Sequence, residues 1–187
     1  MAPVIDAFDW LSIPYYLAGS IASSVHGMAR ATMDADIVAD VAVVHIPALV
    51  RRLQDEYYID EQMIGDAVSR VSSFNLIHLE TMLKVDVFIH RKDAYHASAL
   101  ARRLQDRLVE DDPDTVIFIS SPEDVILSKL QWYETGGRVS ERQWLDVLGV
   151  IKVQGNSLDR DYLSDWAKVL GVSESLKRAF RESGVDL

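Results

Sequence analysis

Asp34-Ala35-Asp36-Ile37 opens a stretch, running on to Val41, in which polar and apolar residues alternate. Alternation with a period of two is the pattern of a strand with one buried face. Asp34 and Asp36 then project from the same face, with Cα atoms about 6.5–7 Å apart. Two carboxylates so placed repel each other, and a bound Mg²⁺ or a shared proton relieves the repulsion. An exposed edge-strand face is the plainer explanation of the same pattern. The motif recurs at Asp112-Pro113-Asp114 and Asp159-Arg160-Asp161. Those acids fall in turn or helix-start contexts, where acidic residues are routine. The pair at 34 and 36 differs in interrupting a strand that otherwise calls for apolar residues.

Working outward, Tyr15-Tyr16-Leu17-Ala18 is a short aromatic and apolar run that stops at Gly19, the pattern of a strand entering a turn. Ser20 to His26 suits a short helix, capped by Ser20 and closed by Gly27. A glycine and a serine between strand and helix let backbone approach a phosphate, with the hydroxyl and helix amino terminus as donors. Most Gly-Ser turns are only turns. Downstream, Ile46 to Glu56 has helical spacing, and Phe74 to His78 and Leu83 to His90 read as strands joined by the short link Leu79 to Met82. Lys84-Val85-Asp86-Val87-Phe88-Ile89 sets one carboxylate inside an apolar strand, where burial demands a partner. Lys84 or an arginine would serve; so would a metal shared with Asp34 and Asp36.

Thr115 to Ile119 is a further strand. After Pro122 the pattern turns helical, over Glu123 to Glu134, Glu141 to Val153, Arg160 to Leu170 and Glu174 to Glu182. Ser121-Pro122-Glu123 is a strong helix start, and Gly136-Gly137 and Gly155-Asn156 punctuate. The order predicts an α+β fold: a mixed sheet flanked by helices over residues 1–120, then a helical region over 121–187 packed on it.

Composition narrows the chemistry. The chain has 187 residues, 49% hydrophobic and 26% charged, within the range of a single globular domain with a helical appendage. It has no cysteine, so any metal must sit on oxygen or imidazole. The five histidines are scattered without ligand spacing and are expected to be structural. Met1 to Trp10 lacks the pattern of a signal peptide, and no apolar run is long enough to span a bilayer, so a cytoplasmic setting is expected. A net charge of −10 argues against duplex DNA as a partner and favours a cationic or neutral small substrate. The pairs Arg51-Arg52 and Arg102-Arg103 read as solvated helix faces. Trp132-Tyr133 and Trp144 fit a helix–helix core. There is no nucleophile elbow, Walker loop or His-Glu-x-x-His motif.

Taken together, Ala18-Gly19-Ser20, Asp34-Ala35-Asp36-Ile37 after thirteen intervening residues, and Val85-Asp86-Val87 resemble the signature of the DNA polymerase beta-type nucleotidyltransferase superfamily. Gly27 to Asp36, with Arg30 and Thr32 ahead of the acids, resembles its small bacterial members: abortive-infection toxin nucleotidyltransferases and aminoglycoside or lincosamide nucleotidyltransferases. Ala35 departs from the pattern, standing where isoleucine or leucine is usual. The resemblance implies transfer of a nucleoside monophosphate from an NTP to a hydroxyl, with release of pyrophosphate. Asp34, Asp36 and Asp86 would hold two Mg²⁺ or Mn²⁺ ions. Gly19, Ser20, Arg30 and Lys129 would contact the nucleotide phosphates.

The acceptor could be a small molecule, a protein or an RNA end. A non-catalytic nucleotide-binding or toxin–antitoxin module with a partner protein is the alternative. Arg30 could instead form a surface salt bridge. Lys129, among Ile126, Leu127 and Leu130, could bury only its stem or pair with Asp146 across two helices.

Overall fold

The structure is a computed structural model that describes residues 1–32, 34–107 and 116–187. The predicted turn at 112–114 and Thr115 lie outside the described residues. Two compact units divide the chain, Met1–Ala18 with Thr32–Ile119 and Gly19–Ala31 with Ser120–Leu187.

The first unit is built on a seven-stranded mixed sheet. Its strands are β1 (Tyr15–Leu17), β2 (Asp34–Ala39), β3 (Tyr57–Tyr58), β4 (Ser73–His78), β5 (Lys84–Ile89), β6 (Leu104–Arg107) and β7 (Val116–Ile119), in the spatial order β3-β4-β5-β2-β1-β7-β6. The alternation that marks β2 is realised: Ala35, Ile37 and Ala39 are buried, and Asp34, Asp36 and Val38 lie on the more open face. In β5 the buried set is Val85, Val87 and Ile89. β4 and β5 pair as the hairpin that the short link foretells, with Met82 at φ +58° in the turn. Helices α1 (Ala2–Trp10), α3 (Ile46–Leu53), α4 (Glu61–Arg70) and α5 (Ala94–Ala101) also belong here. Phe8, Leu49, Leu53 and Ile64, each at most 1% exposed, extend the core of the sheet. Asp60 and Asp93 cap α4 and α5 by accepting from Met63 N and His96 N.

The second unit is helical: α2 (Gly19–His26), α6 (Pro122–Thr135), α7 (Glu141–Gln154), α8 (Arg160–Leu170) and α9 (Ser173–Ser183). Ser121 caps α6 with Pro122 in its first turn, as the sequence indicates. α2 packs against both α6 and α7, and α7 against α9. The core holds Leu127, Leu130, Val147, Ile151 and Phe180. Tyr133 and Trp144 meet at 5.0 Å between ring centroids, but Trp132 is 58% exposed and stands outside that core. The helical phase explains this: adjacent residues point about 100° apart, so one of the pair Trp132-Tyr133 must face out.

Candidate functional site

In the first unit, β2 and β5 run parallel with Asp36 and Asp86 as direct partners and Asp34 opposite Lys84. Residues in register on neighbouring strands share a face, and side chains two apart on one strand do too. Asp34, Asp36, Lys84 and Asp86 therefore occupy one face of the sheet, and Asn75 of β4 stands opposite Asp86 on its other side. The Asp36 carbonyl accepts from the amide of Ala18, so β1 fixes the backbone under this row.

Lys84 donates from Nζ to Asp86 Oδ2 at 2.8 Å. That hydrogen bond, supported by the charges of Asp86, Asp34 and Asp36, raises the lysine above its ordinary value against a modest desolvation. Lys84 is thus the protein partner of Asp86 that the sequence admitted. Asp86 is half-buried, so the charge has a partner without being sealed from water. Carboxylate oxygens converging on one face are the donor type a hard divalent cation takes, and in type they fit Mg²⁺ or Mn²⁺. Among the described residues, however, no three His, Cys, Asp or Glu side chains are gathered into a group that could hold a metal ion as they stand.

In the second unit, Gly19 opens α2 with φ +54°, a conformation that glycine adopts without a Cβ penalty. Ser20 follows, and its Oγ accepts from Arg30 Nη2 at 2.5 Å. Arg30 is held in turn by Asp146: its Nε and Nη2 donate to the two carboxylate oxygens, both at 3.1 Å. Lys129 reaches the same carboxylate, at 2.7 Å, and donates to Gln143 Oε1 at 3.1 Å.

Lys129 is 4% exposed, so its head is buried and paired. Snorkelling is overturned here; the pairing with Asp146 across α6 and α7 is the arrangement found. Burial pushes the Asp146 carboxyl up, but the hydrogen bonds and charges of Arg30 and Lys129 outweigh it and hold the group below its ordinary value. Asp146 is thus shared by two cations, Arg30 and Lys129. Gly19, Ser20, Arg30 and Lys129 lie in one unit, where Asp146 joins Arg30 to Lys129 and Arg30 reaches Ser20. The sequence named Asp146 only as a possible structural partner of Lys129 and did not mark Gln143. An acid on one helix beside a buried lysine on another was the only signal, and it pointed equally to plain structure.

The histidines have local partners, as expected for structural residues. His26 Nε2 lies 2.7 Å from the Ser120 carbonyl, and His90 Nε2 lies 3.0 Å from that of His96. His45, His78 and His96 bond within three residues in sequence. The arginine pairs are not merely solvated: Arg52 sits over Trp10 at 5.1 Å and Arg103 over Phe118 at 4.5 Å.

A mixed sheet carrying this acidic row, with a helical carboxy-terminal region, is the nucleotidyltransferase fold, of the kind seen in aminoglycoside nucleotidyltransferases. The antibiotic-resistance factor ANT(2'')-Ia aligns over 94% of both chains, with a TM-score of 0.55 and 12% identity. An antigenic nucleotidyltransferase-like protein from Paracoccidioides brasiliensis aligns over 96% of this chain and 89% of its own, with a TM-score of 0.53 and 15% identity. No protein-family model and no curated protein matches the chain. Among the described residues, no helix is long and apolar enough to cross a membrane.

Proposed function

We propose that this protein transfers a nucleoside monophosphate from an NTP to a hydroxyl acceptor. The observation that carries the proposal is the direct pairing of Asp36 with Asp86 on parallel strands, with Asp34 two residues away on the same face. In this reading the acceptor oxygen attacks the α-phosphorus. The bond from that phosphorus to the bridging oxygen breaks, and pyrophosphate leaves with the electron pair. The acceptor proton passes to a carboxylate of the acidic face, for which Asp86 is the assigned group. Asp34, Asp36 and Asp86 would hold the divalent cations that accompany the triphosphate. When bound, two Mg²⁺ or Mn²⁺ ions would neutralise charge on the attacking and leaving oxygens of an in-line displacement. Gly19 and Ser20 are assigned to the triphosphate because a positive-φ glycine opens a helix there, with amides and a hydroxyl that can donate. Arg30 and Lys129 are assigned to phosphate because a guanidinium and an ammonium are the side chains that make charge-assisted hydrogen bonds to phosphate oxygens.

The fold supports nucleotide chemistry, and the oxygen-only donor set supports a hard divalent cation. A net charge of −10 favours a small-molecule or protein hydroxyl over RNA as acceptor.

The test incubates each of four α-labelled NTPs with cell extract and Mg²⁺, with wild type beside Asp34→Asn/Asp36→Asn. Label transfer and pyrophosphate release by wild type alone are expected, and the labelled fraction identifies the acceptor. Nucleotide binding without pyrophosphate release would favour a non-catalytic binding or toxin–antitoxin module. A nucleotide at about 100 times its dissociation constant should stabilise wild type by about 2.7 kcal/mol in thermal unfolding. Equal stabilisation of the double variant would remove the acidic face from the site.

A further inference from the structure

The acidic face carries a cation of its own. Lys84 lies two residues before Asp86 on β5, so both project from the same side of the sheet, and its partner across β2 is Asp34. Its Nζ sits 2.8 Å from Asp86 Oδ2. Three carboxylates and one ammonium therefore occupy a patch two strands wide and three residues long. Neighbouring strands are only about 4.8 Å apart, and like charges directly opposite each other destabilise a sheet. Lys84 relieves part of that repulsion between Asp36 and Asp86.

The lysine is also removable. Its side chain is 42% exposed, on a flexible four-carbon stem whose head hydrates well. A partly exposed ion pair of this kind is weakened, because water screens the lysine side and holding two side chains together costs entropy. Reorienting the stem frees Asp86 Oδ2 without disturbing the strand.

We propose that Lys84 is the internal counter-cation of the acidic face, occupying Asp86 in the free protein and giving it up when a divalent cation binds. The proposal rests on the reading of Asp34, Asp36 and Asp86 as metal ligands. Lys84 sets the affinity of the face for metal: it lowers it, and it keeps the empty face from repelling itself. A divalent ion displaces it by bringing twice the charge to the same oxygens.

The experiment is a Mn²⁺ titration of the full chain without nucleotide, with free Mn²⁺ read by electron paramagnetic resonance at fixed ionic strength. Lys84→Met and Lys84→Gln are both expected to bind Mn²⁺ roughly tenfold more tightly than wild type, since a positive charge beside the ion has gone. Using two neutral replacements separates charge from packing. Lys84→Arg should bind as wild type does. Without metal the neutral variants should melt lower than wild type, and Mn²⁺ should raise their melting temperature more.

If both neutral variants bind Mn²⁺ no better than wild type, while Asp34→Asn/Asp36→Asn has lost binding, the counter-cation idea is overturned and the metal site stands. If wild type itself binds no more Mn²⁺ than that double variant, the metal-ligand reading falls, and the role of Lys84 falls with it.

Discussion

Asp146 is 7% exposed in its side chain and serves two cations at once, Arg30 through a two-pronged contact and Lys129 through a single short one. Removing its charge leaves Lys129 buried beside a neutral amide. Asp146→Asn is expected to cost about 3 kcal/mol in denaturant unfolding, the order seen when one member of a buried ion pair is lost. Because its carboxyl is held below the ordinary value, its stabilisation is complete above the unfolded value of about 4 and disappears as pH falls through the lower folded value. Wild type should therefore lose stability from about pH 4 downward more steeply than Asp146→Asn, which has nothing to protonate at that position. Equal acid limbs would show that the carboxylate gains nothing from its neighbours. The acids of the sheet were legible at this scale because charges inside an apolar alternation stand out. Asp146 was legible only as a possible partner of Lys129; its second cation, Arg30, lies 116 residues away and could not be read from a local pattern.

At the scale of elements, helix starts carried the clearest local signals, since a cap satisfies amides only a few residues away. Ser121 Oγ accepts from Asp124 N at 3.2 Å and donates to Asp124 Oδ2 at 2.7 Å. Ser121→Ala should cost about 1 kcal/mol in thermal unfolding, and Ser121→Asp more than that, because a carboxylate there cannot donate to Asp124 Oδ2 and repels it. The contact of α2 with α7 is tighter. A Cβ at Gly27 would meet the Ser23 carbonyl oxygen and the Val150 amide nitrogen at 2.9 Å, both backbone atoms that cannot swing away. Gly27→Ala should therefore destabilise by about 1–3 kcal/mol, the usual cost of overpacking. A neutral effect would mean that the helices separate freely. The sequence marks Gly27 as a helix terminator, which it is; its second role, admitting a neighbouring backbone, depends on a segment more than a hundred residues away. The strands β3 and β6 were not foreseen: β3 has only two residues, and β6, Leu104-Gln105-Asp106-Arg107, is polar and largely exposed, without the apolar run that marks β1 and β7.

For the whole molecule, chain order and compact unit do not coincide. Gly19–Ala31 packs with Ser120–Leu187 and is flanked in sequence on both sides by segments of the other unit. A fragment ending at residue 119 would leave the buried face of α2, with Ala22, Ser23 and His26, without α6 and α7 to cover it. An isolated eight-residue helix is marginal in water. Amides from 19 to 31 should exchange at unprotected rates in the fragment and be protected in the full chain, as read by hydrogen-exchange mass spectrometry. Protection in the fragment would show that α2 holds its structure without the later helices.

The sequence alone determined the alternation that makes β2 and β5 strands, the helical periods after Pro122, the start of α6 at Ser121, and the shared face of Asp34 and Asp36; Ser20, expected to cap α2, lies inside it instead. Each of these depends on residues within a few positions of one another. Only the tertiary structure decided that Asp86 comes to stand beside Asp36, that Lys84 neutralises it, and that Arg30 joins Lys129 on Asp146. Strand register and helix packing are set by long-range burial of apolar surface. A local pattern specifies which side of an element is buried, but not which distant element buries it.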